Sequence, residues 1–174
     1  HLSAEEQALE FAAGKAKSCL SSCPDALILG SDTLIHLGSE VLGKPVDLAE
    51  AEVMLRRLAG QKHRIVTAVA LAGPDPDRCE VRLAEVLVTM KPLNEAALYD
   101  YLRTGESLGK AGAYSIQGGG VAFIERIEGD FTAAVGLPLR LVVEMLRQRG
   151  ISFPVDIEQL YARRPYPNWE RFRA

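Results

Sequence analysis

The chain has 174 residues, 48% of them apolar, and 20 Lys and Arg against 23 Asp and Glu leave a formal net charge of -3. One domain with one core is the expectation, and the absence of a long basic block argues against nucleic acid as a partner. No stretch approaches the roughly eighteen consecutive apolar residues of a membrane span, and His1 to Glu10 lack the layout of a signal peptide, so we expect no membrane contact and a cytoplasmic protein.

Ser3 and Glu6 form a capping-box pair ahead of an Ala-rich helix that runs to Leu20, where the Ser21 to Asp25 cluster stops it. Ala26 to Leu29 reads as a short buried strand, Gly30-Ser31-Asp32 as a loop or strand end, and Thr33 to Leu37 with Glu40 to Leu42 as a hairpin turning at Gly38-Ser39. Asp47 and Glu50 repeat the capping-box pattern before a helix with Ala51, Met54, Leu55 and Leu58 on one face and Gly60 as its left-handed stop. Ile65 to Leu71 and Val81 to Met90 are β-rich and read as an antiparallel pair across the Gly73-Pro74-Asp75-Pro76-Asp77 turn. Asn94 caps a helix through Leu102 that ends at Gly105.

Gly118-Gly119-Gly120 then marks a flexible loop, and Val121 to Ile127 is expected to pair with Phe131 to Val135 around Glu128-Gly129-Asp130. Pro138 opens a final amphipathic helix that stops at Gly150. The order of elements predicts an α/β fold with a mixed sheet. A domain over residues 1–150 is followed by a tail over 151–174, rich in Arg, Pro and aromatics, that packs on the surface or is partly disordered. Cys19, Cys23 and Cys79 are an odd set without a second ligand pair and read as free thiols.

Asp32 is the first candidate for chemistry, since a carboxylate just beyond a buried strand is held at a sheet edge, where it can bind a divalent metal or orient a water. On position alone it serves equally well as a turn residue. Lys44, in Leu42-Gly43-Lys44-Pro45, follows the hairpin and can return toward Asp32; Lys15 and Lys110 are further cations, and each is otherwise a solvated surface lysine. Gln117 beside the glycine run can read a nucleobase edge, with nearby peptide N–H groups approaching ligand oxygens, although a glycine triplet is more often only a turn. The GxxxxGK[ST], GxSxG and HExxH patterns are lacking, and His1, His36 and His63 are scattered, with His36 read as a strand surface residue. A carboxylate-and-metal hydrolase is therefore favoured over one with a histidine base.

Taken together, Gly30-Ser31-Asp32-Thr33, Leu42-Gly43-Lys44-Pro45, His63-Arg64-Ile65-Val66-Thr67, the Lys110 to Gly118 stretch KAGAYSIQG and Val135-Gly136-Leu137-Pro138-Leu139 resemble the Maf family over residues 4–150. The resemblance implies a two-lobed, inosine triphosphate pyrophosphatase-like fold, a homodimer and a nucleoside triphosphate pyrophosphatase that depends on Mg or Mn. It implies Asp32 as the catalytic and metal-binding carboxylate, Lys15, Lys44 and Gln117 as nucleotide contacts, Thr33 beside them, and Lys110 as a further contact. The AYxIQG form with Phe123 downstream resembles the branch acting on dTTP and UTP. Family members open with a strand, a Ser-rich double-Arg phosphate loop and a metal-site glutamate, whereas this chain starts at the next helix; the second expectation is therefore a catalytically inactive nucleotide-binding or regulatory protein. Gly109 stands where an acidic residue is common.

Overall fold

The computed structural model describes residues 2–73, 75, 78–152 and 154–172, so Pro74, Pro76 and Asp77 of the expected turn lie outside the described residues. Helix α1 (Ala4–Ser18) starts at the predicted box: Ser3 Oγ accepts from Glu6 N, and the Glu6 carboxylate accepts from Ser3 N. Its inner stripe is alanine, with Ala8, Ala12 and Ala16 fully buried.

Strand β1 (Ile28–Leu37) is continuous, which corrects the expected loop or strand end at Gly30-Ser31-Asp32. The glycine there answers to helix contact and not to a turn, for a Cβ on Gly30 would lie 2.4 Å from the Ala12 carbonyl oxygen. Small residues on both partners thus let α1 lie directly on the strand. The hairpin to β2 (Glu40–Leu42) turns at Gly38, φ +62°, as predicted.

Before α2 (Leu48–Leu58), Asp47 caps Glu50 N, but the Glu50 carboxylate takes Val46 N and not Asp47 N, so only half of the second box forms. Strands β3 (Lys62–Ala72) and β4 (Cys79–Met90) pair antiparallel as expected, and Asn94 caps α3 (Glu95–Arg103).

The sheet order is β2-β1-β3-β4-β5, and every pairing is antiparallel, so within the α/β class the mixed pairing is not what forms. The β1–β2 hairpin reverses the chain before α2, so β3 enters antiparallel to β1, and β4 is antiparallel to β3 in turn. Central β3 is buried on both faces. Val66, Ala68, Ala70 and Ala72 meet the alanines of α1, while Val69 and Leu71 on the other face meet Val142 and Met145. That is why its apolar run is unbroken.

The expected hairpin of Val121–Ile127 with Phe131–Val135 does not form. Residues Gly119–Phe123 make a 3-10 turn, β5 (Ile124–Glu128) pairs with β4, and Phe131–Ala134 is a single helical turn, α4, capped by Asp130. A buried side chain fixes α4 from outside: Thr67 Oγ1 donates to Ala133 O at 2.8 Å. Helix α5 (Leu139–Gln148) follows Pro138 but is not the last, because α6 (Ile157–Arg163) and a 3-10 turn at Trp169–Arg171 come after it. The described part of the tail packs on the core, with Trp169 buried and stacked on Phe131 at 5.3 Å between centroids. His36 is also corrected: it is buried, not on the strand surface, and desolvation lowers its pKa. No helix among the described residues is long and apolar enough to cross a membrane.

Candidate active site

Strand β2 pairs with β1 only at Ile35, His36 and Leu37, so among the described residues the outer edge of Ile28 to Leu34 carries no strand. A cavity of about 340 Å³ opens there, within the size range of small-molecule sites. Alternation along β1 sends Asp32 to the α1 face, in register with Ala68, and Thr33 to the other, in register with Thr67. At an uncovered edge both faces reach the same space.

All six candidates, Lys15, Asp32, Thr33, Lys44, Lys110 and Gln117, line this cavity. Lys15 leaves the last turn of α1, and its Nζ lies 2.5 Å from Asp32 Oδ1 and 3.1 Å from Ser31 O. The pair is unequal in exposure, Lys15 at 58% and Asp32 at 14%, so the carboxylate is held from below while the ammonium stays wet. Such a pair contributes no more than about 1 kcal/mol to stability. Lys44 and Lys110 are exposed, and the loops that carry them are tied by Gly112 N donating to Gly43 O at 3.0 Å. Three ammonium groups and one carboxylate are the charged groups of the lining, a balance suited to a polyanion.

Thr33 has a defined proton arrangement. Thr67 spends its hydroxyl proton on Ala133 O, so in the 2.8 Å Thr33–Thr67 contact Thr33 is the donor and its oxygen keeps lone pairs for a neighbour. Ser31, which residue type alone did not single out, packs its hydroxyl against Ala68 O and Gly136 O and joins β1 to the 134–136 wall.

The opposite wall is loop. Gly109 at φ +75° and Gly112 at φ +65° supply left-handed turns, and Ala113 is forced to φ +63°, which costs on the order of 1 kcal/mol in a non-glycine residue. Those turns drive Tyr114 inward, where its hydroxyl meets His63 Nε2 at 2.7 Å. Both are buried; desolvation lowers the His63 pKa to about 4 and raises that of the Tyr114 phenol. His63, read only as a scattered histidine, therefore acts as a neutral pin for this wall.

Gln117 is exposed at the cavity, and of the two readings of the neighbouring glycines the ligand cradle is not the one that forms. The Glu106 carboxylate occupies the Gly119 and Gly120 amides at 3.0 and 3.4 Å, and a Cβ on Gly118 would lie 2.2 Å from Glu106 Oε1. Gly118 is glycine because a carboxylate packs against it, and Gly120 because the Ser115 backbone does, with a Cβ there 2.6 Å from Ser115 N.

Among the described residues no group of three or more His, Cys, Asp or Glu could hold a metal. Asp32 alone supplies a carboxylate to the lining, and its Oδ2 has no protein partner among the described residues. This donor set does not cage an ion by itself but fits a divalent cation that arrives with phosphate oxygens as its other ligands.

The family model described as Maf-like protein matches residues 1–149. Among curated relatives, the dTTP/UTP pyrophosphatase of Deinococcus radiodurans is 41% identical over 145 residues, 83% of this chain and 73% of that protein. Those of Symbiobacterium thermophilum and Shewanella sp. (strain MR-7), which bear the same name, are each 46% identical, covering 78% and 81% of this chain and 69% and 73% of theirs.

Proposed function

Because the chain belongs to the Maf family, we propose that it is a nucleoside triphosphate pyrophosphatase that hydrolyses dTTP and UTP to the monophosphate and pyrophosphate. The observation that carries this reading is the convergence of Asp32, three lysines and Gln117, from distant parts of the chain, on one cavity at the open edge of β1.

The chemistry follows from the charges. Water attacks the α-phosphorus, the bond from that phosphorus to the α-β bridging oxygen breaks, and pyrophosphate departs with the electron pair. Asp32, whose Oδ1 is engaged by Lys15, takes the water proton on Oδ2. Lys15, Lys44 and Lys110 neutralise phosphate oxygens and bind the charge of the leaving group, while Gln117 meets the base with its donor and acceptor pair. The oxygen of Thr33, an acceptor by the count above, suits a hydroxyl or N–H of the nucleotide better than a phosphate. A divalent cation, Mg or Mn, would be held by Asp32 with the phosphates and would supply further charge neutralisation.

The three free thiols, Cys19, Cys23 and Cys79, support a reducing, cytoplasmic setting. The resemblance supports a homodimer, which light scattering checks. Residues 1–150 are read as the catalytic domain and 151–174 as a tail, whose described residues pack against it.

Incubating the purified chain with dTTP, UTP and GTP in Mg²⁺ or Mn²⁺ tests the function, with thymidine and uridine monophosphate plus pyrophosphate as the expected products. Release of orthophosphate and a diphosphate would overturn it. Calorimetric binding without turnover would instead make the chain a nucleotide-binding protein.

A further inference from the structure

The tail beyond Gly150 lies outside the matched residues 1–149, yet it reaches the cavity wall through one side chain. Asn168 Nδ2 donates to Ile116 O at 3.0 Å and to Gly118 O at 3.3 Å, the two carbonyls on either side of Gln117. Two carbonyl acceptors leave no doubt about the amide's orientation, since only its NH₂ end serves both.

Asn168 is built for the position. It sits at φ +66°, a left-handed conformation that asparagine tolerates better than most side-chain-bearing residues, and next to it Trp169 is buried against Phe131. From the other direction Glu106 holds the Gly119 and Gly120 amides. A stretch with three glycines loses much conformational freedom on ordering, and its own bonds from Gly118 N to Ser115 O and from Val121 N to Gly118 O are supplemented by bonds from outside. Here the Glu106 carboxylate accepts from Gly119 N and Gly120 N, and the Asn168 carboxamide donates to the carbonyls of Ile116 and Gly118.

We infer that Asn168 is a positioning residue that fixes the Ile116–Gly118 backbone and so aims Gln117 at the nucleobase, making the tail part of base selection. The inference rests on the reading above that Gln117 meets the base. Loss of the clamp weakens recognition of the base and leaves Asp32, Lys15 and Lys44, on other segments, in place.

Two variants test it in the full chain. Asn168→Asp keeps the shape but sets a carboxylate against two carbonyls, and Asn168→Gly keeps the left-handed backbone without any donor. For both, KM for dTTP is expected to rise about tenfold with kcat within about twofold, as befits two lost hydrogen bonds. The preference for dTTP over GTP should fall by a similar factor, and Asn168→Gly should add nothing in a Gln117→Ala background. Equal KM changes for dTTP and GTP, no change at all, or additivity with Gln117→Ala would each overturn the inference. Hydrogen exchange at the Gly118, Gly119 and Gly120 amides reads the clamp without activity: it should accelerate in Asn168→Gly, and unchanged exchange refutes the clamp. A wild-type chain without turnover would count against the pyrophosphatase reading instead, and exchange would then decide for or against the clamp alone.

Discussion

On one side of the cavity α1 and β1 press together through alanine and glycine, and their charged side chains, Lys15 and Asp32, project from regular backbone. On the other side, residues 109–117 and 134–136 are mostly irregular backbone, held by His63, Glu106, Thr67 and Asn168 from elsewhere in the chain. The first wall carries the proposed base and its paired ammonium on a scaffold that does not depend on them. In the second, the groups that hold the shape are polar, His63 and Thr67 fully buried and Glu106 and Asn168 half-buried, so altering them changes stability and selectivity together.

The largest effect expected from breaking this contrast is at Asp32. Asp32→Asn should lower kcat by about 10²–10³-fold, or roughly 3–4 kcal/mol of barrier, with little change in thermal midpoint, because only a half-wet ion pair is lost. A rate near wild type, measured as pyrophosphate release, rejects Asp32 as the base.

Acid should act on the loop wall next. Unfolded, His63 takes a proton near pH 6.5, but folded only near 4, so the unfolded state binds more protons between those values. Stability from this group is full above pH 6.5 and is lost as the pH falls toward 4, by roughly 3 kcal/mol in the limit. Glu5 and Glu85, whose carboxyls are held low by bonds that include those from Arg64, add their own acid loss in any variant. Urea titrations at several pH values should therefore give a shallower decline in His63→Gln than in wild type, and parallel curves would remove His63 from the account.

A smaller cost is expected at the glycine run. Gly118→Ala drives a Cβ into Glu106 and should destabilise by about 2 kcal/mol as the carboxylate gives up the Gly119 and Gly120 amides. An unchanged urea midpoint would mean that the loop is not held by Glu106.

Much of this was legible along the chain wherever a local pattern had a local cause. The Ser3–Glu6 box, the Gly38 turn, the β3–β4 pair and the Asn94 cap all follow from neighbours within a few residues. Position alone left Asp32 and the lysines ambiguous, and only the resemblance of whole segments assembled them. Misreadings arose where a residue answers to something remote. Gly30 looks like a loop because the helix that requires it is eighteen residues away by Ala12, and Phe131–Ala134 looks like a strand because Thr67, which fixes its carbonyl, is on β3.

By itself, then, the sequence determined most of the elements, several of their caps and the residues available for polyphosphate chemistry, since backbone preference and side-chain period act over a few residues. Tertiary structure decided the rest: that the sheet pairs antiparallel throughout, that both faces of β1 open on one cavity, and that the glycine run is gripped by Glu106 and Asn168. Those outcomes depend on which distant groups satisfy which backbone donors and acceptors, and such pairings exist only once the chain has closed on itself.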